Sequence, residues 1–412
     1  MSRSDDAELV VKIGQVAHKY GMPGFELDRE LARLARALRV DLTVIATPRL
    51  LDCVVVDQAG ATERRMLAPL DEVAYNIEKL SRTVHLMRRI EAGDVDDDAA
   101  RRELDAIEVL PAPYPAPAVG IAYAACGAGF AVILGSASGD VVLASALSIV
   151  VFLVGCAAAR FAWLSRRVYV VSAFAAALLA GLAGHVIHES DTPIVALCSF
   201  VVLVPGLGLA LGALELAEGQ TLIGWHRFIA AAVQTFELFA GAAIGTALVR
   251  SVVGLPDAPD VGPSSTISQW AFLMILMIGL VVVFQVPPRI VPWAVAAGML
   301  AYAGLEVGSR SGSWQGPFLG ALALGLFSTL YARGTSHANP LVVVLPGVLI
   351  LVPGVAAYAS LRTFDAEFET GIAASGQGVL IQIVAILAGL FTAASIVELG
   401  RALTGAAPSG GP

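Results

Sequence analysis

From residue 118 onward the chain passes through ten predominantly apolar stretches, near 118–138, 141–159, 168–187, 193–214, 226–250, 270–286, 290–308, 315–332, 340–361 and 376–399. A helix needs about 20 such residues to cross the hydrocarbon of a bilayer. Ten in succession cannot be hidden in one aqueous core, so this part of the chain is membrane material. Charge is distributed to match. Asp, Glu, Lys and Arg make up 15% of the chain, against about 25% in a soluble domain. Of the 26 basic and 34 acidic residues, 16 and 21 lie before residue 118, including all three lysines, Lys12, Lys19 and Lys79.

Residues 1–117 read as a small α/β domain. Amphipathic helices over 8–20 and 26–39 are separated by Gly21-Met22-Pro23-Gly24, and β-like runs follow at Leu42–Ala46, Leu51–Val56 and Thr62–Leu67. A helix over 70–92 puts Leu70, Val73, Ile77, Leu80, Val84 and Met87 on one stripe and stops at Gly93. Asp96–Asp98 open another that runs to Val109, and four prolines from Pro111 to Pro117 form a stiff linker. His18, His85 and Cys53 fit no nucleophile elbow, metal-ligand spacing or phosphate loop. The domain therefore reads as structural or regulatory, and no catalytic residue, cofactor or metal is expected. The four cysteines show no paired spacing, and the absence of a basic stripe argues against nucleic acid. The start has no apolar core of signal-peptide type, so the domain is expected to stay on the side where it is made.

Arginine orients the spans. With the N-terminus inside, Arg160, Arg166, Arg167, Arg227, Arg289, Arg333 and Arg401 fall inside, while Arg250, Arg310 and Arg362 fall outside. This predicts cytoplasmic N- and C-termini in the inner membrane.

The membrane part also repeats. Leu203-Val204-Pro205-Gly206 recurs as Leu351-Val352-Pro353-Gly354 at an offset of 148, and at the same offset Gln234 meets Gln382 and Ala240-Gly241 meets Ala388-Gly389. The repeat divides the spans into halves over 118–264 and 265–412, each of five helices. An odd number sends the second half into the membrane from the opposite face, so the expected fold is two inverted five-helix repeats behind a small α/β domain, as in many secondary transporters. In such folds paired Pro/Gly breaks mark the binding site, here Pro205, Gly206, Pro353 and Gly354, with Gln234 and Gln382 nearby.

Glu237 stands near the middle of the fifth span, one helical turn after Gln234. A carboxylate there costs at least about 2.5 kcal/mol unless it is protonated, paired or wetted, which makes it the candidate proton carrier. Its repeat counterpart is Ala385. Glu215, Glu218 and Arg227 surround the loop between spans four and five and read as interfacial, with Glu215 and Arg227 the gating candidates. His185, His188, Glu189 and Asp191 form one loop cluster that reads as solvated rather than metal-binding.

Several of these residues also carry a resemblance. The soluble start (Gly21-Met22-Pro23-Gly24, Leu31–Leu38, Leu42–Ala46), the stretch from Glu63-Arg64-Arg65 to Arg88-Arg89-Ile90-Glu91-Ala92-Gly93, Tyr114-Pro115, the run Leu203-Val204-Pro205-Gly206 through Glu215-Leu216, Gly219, Gly224 and Arg227, and Pro353-Gly354 together resemble the bacterial threonine/serine exporters. The resemblance spans nearly the whole chain and rests on order and spacing. It implies ten spans, a cytoplasmic N-terminal domain and export of small amino acids driven by the proton-motive force. The family also has a two-chain version associated with dicarboxylate export, of which this chain resembles a fused form.

The expected partners are a small polar solute, protons and the bilayer, with a homo-oligomer allowed. Alternatives stay open: a dicarboxylate exporter, a passive channel or facilitator, or a membrane-anchored enzyme or sensor run by residues 1–117. The lack of lysine in the membrane part, and of arginine at mid-depth, favours a zwitterion over a dianion.

Overall fold

A computed structural model describes residues 3–47, 50–56, 63–70, 74–187, 190–254, 265–334, 347–348, 350–351 and 368–404. The soluble domain opens with α1 (Arg3–Lys19) and α2 (Gly24–Ala37). A three-stranded antiparallel sheet follows, ordered β1 (Asp41–Ala46), β2 (Leu50–Val56) and β3 (Glu63–Pro69). Helices α3 (Ile77–Glu91) and α4 (Asp97–Val109) complete the domain. Cys53 on the central strand pairs with Val44 and Met66. Leu51 and Cys53, two residues apart, point to one face and join Leu9, Ile13, Leu27, Leu31 and Leu34 in the core, as the period-2 geometry of a strand requires.

All three strands form within two residues of where the sequence places them. The helix expected from residue 70 begins at Ile77 instead. Asn76 adopts extended backbone, and its side chain accepts from the Lys79 N–H at 3.0 Å. Such a cap satisfies an otherwise orphaned donor and fixes the helix start.

The membrane part contains α5 (Ala116–Ile133), α6 (Ser138–Arg160), the one-turn α7 (Ala162–Ser165), α8 (Val168–Ile187), α9 (Thr192–Ser199) and α10 (Gly206–Ala217). It continues with α11 (Thr221–Val252), α12 (Thr266–Val283), α13 (Val291–Ser309), α14 (Gln315–Gly334) and α15 (Phe368–Thr404). Among the described residues seven helices are long and apolar enough to cross a membrane, and the bent pair α9/α10 raises the number to eight. The protein is thus a multi-pass membrane protein. Helix α14 occupies the eighth predicted stretch but is not one of those seven. The ninth, 340–361, with Pro353 and Gly354, lies outside the described residues except at 347–348 and 350–351.

Small residues set the helix contacts. A Cβ added to Gly241 of α11 would overlap the Val170 carbonyl of α8, and one added to Gly389 of α15 would overlap the Phe318 carbonyl of α14. Both members of the second pair stand 148 residues after those of the first. At the same offset Gly245 lies against Ala177, and Ala393 lies against Gly325, with glycine and alanine exchanged. Helices α5 and α12 approach as closely: Gly129 lies against Leu276, and Gly279 against Cys126. Those two contacts run in opposite chain order, so the helices are antiparallel.

Candidate functional site

The fourth span is broken. Helix α9 ends at Ser199, a 3₁₀ turn covers Val201–Leu203, and α10 starts at Gly206 after Pro205, with the two parts inclined by 54°. Proline has no N–H to continue the ladder. The Gly206 N–H turns back to the Val204 carbonyl at 2.8 Å. The N-terminus of α10, the positive end of its dipole, therefore lies partway along the span. Its far end carries Glu215.

Glu215 and Arg227 face each other because α10 and α11 form a tight hairpin. Gly219 makes the turn with φ of +83°. A Cβ on Gly224 would lie 2.6 Å from the Leu216 nitrogen, and one on Gly212 would lie 2.7 Å from the Phe228 nitrogen. Only glycine allows that approach, and it brings Arg227 Nε to 3.1 Å from Glu215 Oε2. Glu215 is wholly buried, and the Arg227 side chain is 11% exposed.

The soluble domain completes this site. Gly24, the first residue of α2, donates its N–H to Glu215 Oε1 at 2.9 Å, placing a carboxylate at a helix N-terminus where the dipole favours it. A Cβ there would meet Ile223 Cδ1 at 2.7 Å, and Ile223 is itself a member of the soluble domain's core. Gly21, at φ +104°, lies under the Tyr75 ring. Gln220 donates to Asp28 at 2.6 Å, and Arg29 pairs with Glu218 at 3.1 Å. Burial, helped by the Arg227 charge, pushes His18 down to about 4. Burial pushes the Tyr75 hydroxyl up, against a hydrogen bond with Arg227. Glu215 and Arg227, read from the sequence as interfacial, form a buried ion pair under the soluble domain.

The remaining candidates stand apart from this pair. Glu237 and Gln234 are half-buried on α11, and Gln382 is half-buried on α15. Among the described residues the Glu237 carboxylate has no hydrogen-bond or ion-pair partner. Pro353 and Gly354 lie outside the described residues, so the structure does not bring the two breaks together.

At the opposite end of the bundle is a polar contact that sequence reasoning missed. Asp140, in the first turn of α6, is wholly buried and accepts from Ser190 Oγ at 2.6 Å and the Asp191 N–H at 3.1 Å. Asp191 caps α9 by accepting from the Ile194 N–H at 3.2 Å. That role buries Asp191 to 7% exposure, contrary to its reading as part of a solvated loop. His188 and Glu189 lie outside the described residues. Among the described residues no group of three or more His, Cys, Asp or Glu is placed to hold a metal.

Comparison with known proteins matches two segments of the chain. A family model for threonine/serine exporters matches residues 8–249, spanning the soluble domain, the broken span and the Glu215–Arg227 hairpin. A second, described as threonine/serine exporter ThrE, matches residues 269–396. No curated protein and no solved structure matches. With both modules present in order on one polypeptide, the chain belongs to the threonine/serine exporter family, in a fused form.

Proposed function

We propose that this protein is a proton-coupled antiporter that exports threonine, serine or a similar small zwitterion across the inner membrane, with the soluble domain and both termini cytoplasmic. The observation that carries the reading is the broken span. A half-helix that begins partway along a span presents backbone N–H groups to a substrate carboxylate, and the interrupted segment presents carbonyls to its ammonium. Pro205 and Gly206 stand at this break, the sequence repeats it as Pro353-Gly354 at an offset of 148, and Gln234 and Gln382, also 148 apart, are the side chains proposed to bind the solute with them. Matching close contacts at an offset of 148, with antiparallel α5 and α12 between the halves, support an inverted repeat. Such halves rock about a shared site and expose it to either side in turn.

Glu237 is the proton carrier in this reading. It lies near the centre of a helix of 32 residues, about 48 Å long and so well beyond the roughly 30 Å hydrocarbon core. The turns around Arg227 stand at the domain end of α11, and Glu237 stands at depth. Solute counterflow in proteoliposomes tests the assignment. Labelled threonine or serine exchanges in the parent protein, and Glu237→Gln keeps that exchange while losing its response to an imposed pH gradient. A variant that responds like the parent removes Glu237 from the coupling step.

A further inference from the structure

Among the described residues the soluble domain touches the membrane part in two places, and they belong to different halves. The first is the α10–α11 hairpin, held through Gly24, Glu215, Arg227 and Ile223. The second is the corner between α12 and α13. There the N–H groups of Ile77 and Glu78 donate to the carbonyls of Phe284 and Gln285, each at 3.2 Å. The Tyr75 and Phe284 rings meet edge-on at 6.3 Å, and the Tyr114 N–H donates to Gln285 Oε1 at 3.1 Å. Gln285 holds this corner with φ of +55°, unusual for a residue with a side chain. Ile77 is 0% exposed, although it opens a helix of the soluble domain. It belongs to the apolar cluster that joins Leu207 and Leu211 of α10 to Val281, Val286 and Ile290 at the α12–α13 corner. The segment Tyr75–Asn76–Ile77 is thus a wedge between the two halves, at the end of the half-helix that starts at the break.

From this juxtaposition we infer that the soluble domain is the gate on its side of the membrane: the Tyr75–Ile77 wedge closes the path between α10 and the α12–α13 corner and must leave it for solute to pass. The inference rests on the transporter reading above and gives the soluble domain its role in it.

The two contacts differ in a way that decides which one opens. Separating the hairpin from the domain strips Glu215 of the Gly24 N–H and exposes a core residue, Ile223. The Glu215–Arg227 pair stays intact on the hairpin, but a buried carboxylate that loses a hydrogen-bond donor is costly, because bonds to charged groups are the stronger ones. The wedge contact has apolar side chains and four hydrogen bonds that water can replace, two of them between backbone groups. The domain therefore stays with the hairpin and parts from the α12–α13 corner.

Reversible cross-linking tests this. Cysteines replace Glu78 and Gln285 in the full-length chain, with the exposed native Cys156 changed to Ser, and a short bifunctional methanethiosulfonate bridges them in proteoliposomes. The bridged protein is expected to show threonine and serine counterflow at the protein-free background, restored by reductant, while each single-cysteine variant is unaffected by the reagent. A bridged protein that still exchanges solute at the unbridged rate overturns the gate. So does a pair that fails to cross-link, since the contact itself is then absent. If the unbridged parent exchanges neither amino acid, the exporter reading falls and the gate falls with it; an active parent with an ineffective bridge removes only the gate.

Discussion

His18 shows how much one buried side chain depends on the junction between domain and membrane. It sits in the last turn of α1, 4% exposed, and burial together with the Arg227 charge holds it near 4, against 6.5 for a free imidazole. Its folded value is depressed, so the unfolded chain binds the extra proton between those two values. Stability then rises with pH across that window and is lost on acidification. The full shift corresponds to about 3 kcal/mol. The expected outcome is that the thermal transition of the detergent-solubilised protein falls steeply from pH 7 to pH 4.5, and that His18→Gln flattens the slope. An unchanged slope in the variant would place the acid sensitivity elsewhere.

The hairpin and the packed helix pairs depend on glycines at their closest approaches. Gly241 and Gly389, 148 residues apart, are positions where a methyl group has no room, and the proposed repeat makes them equivalent. Ala at either one forces α8 from α11, or α14 from α15, and overpacking of this kind costs about 1–3 kcal/mol. Both variants should lower the melting temperature by similar amounts, while Gly155→Ala, which meets nothing within 4 Å, should not. Unequal effects at the two sites would break the equivalence.

These elements were readable in the sequence to different degrees. Strand alternation, the Gly93 stop and the Pro205 break are local signals, and each appears where it was expected. The start of α3 was missed because one Asn76 cap outweighs an apolar stripe that continues back to Leu70. Glu215 and Arg227 were named from the sequence, but their partner was not. The Gly21–Gly24 turn looked like a helix breaker, and nothing local says that its last N–H meets a carboxylate 191 residues away. Asp140 was missed for a similar reason: an acidic residue in a first helical turn reads as a dipole partner, and its burial depends on Ser190 and Asp191 returning from another loop. Glu237 drew attention as the carboxylate at depth, yet Glu215 and Asp140 are the more deeply buried.

At the scale of the whole molecule, a charged domain and an apolar bundle form one device rather than a transporter with an appendage. The domain shares a core residue with α11 and contacts both halves through separate surfaces. In the proposed reading it also places a gating contact beside the broken span, as alternating exposure of a single site requires.

In the proposed function a proton gradient drives small amino acids through this structure. Proteoliposomes equilibrated with labelled threonine at equal concentrations inside and out, then made acidic outside, test it most directly. Proton-coupled antiport predicts that threonine leaves the vesicles until its internal level is below the external one, and that a protonophore abolishes this. A threonine level that stays equal on both sides, with the gradient intact and counterflow present, would show a passive pathway and contradict the account.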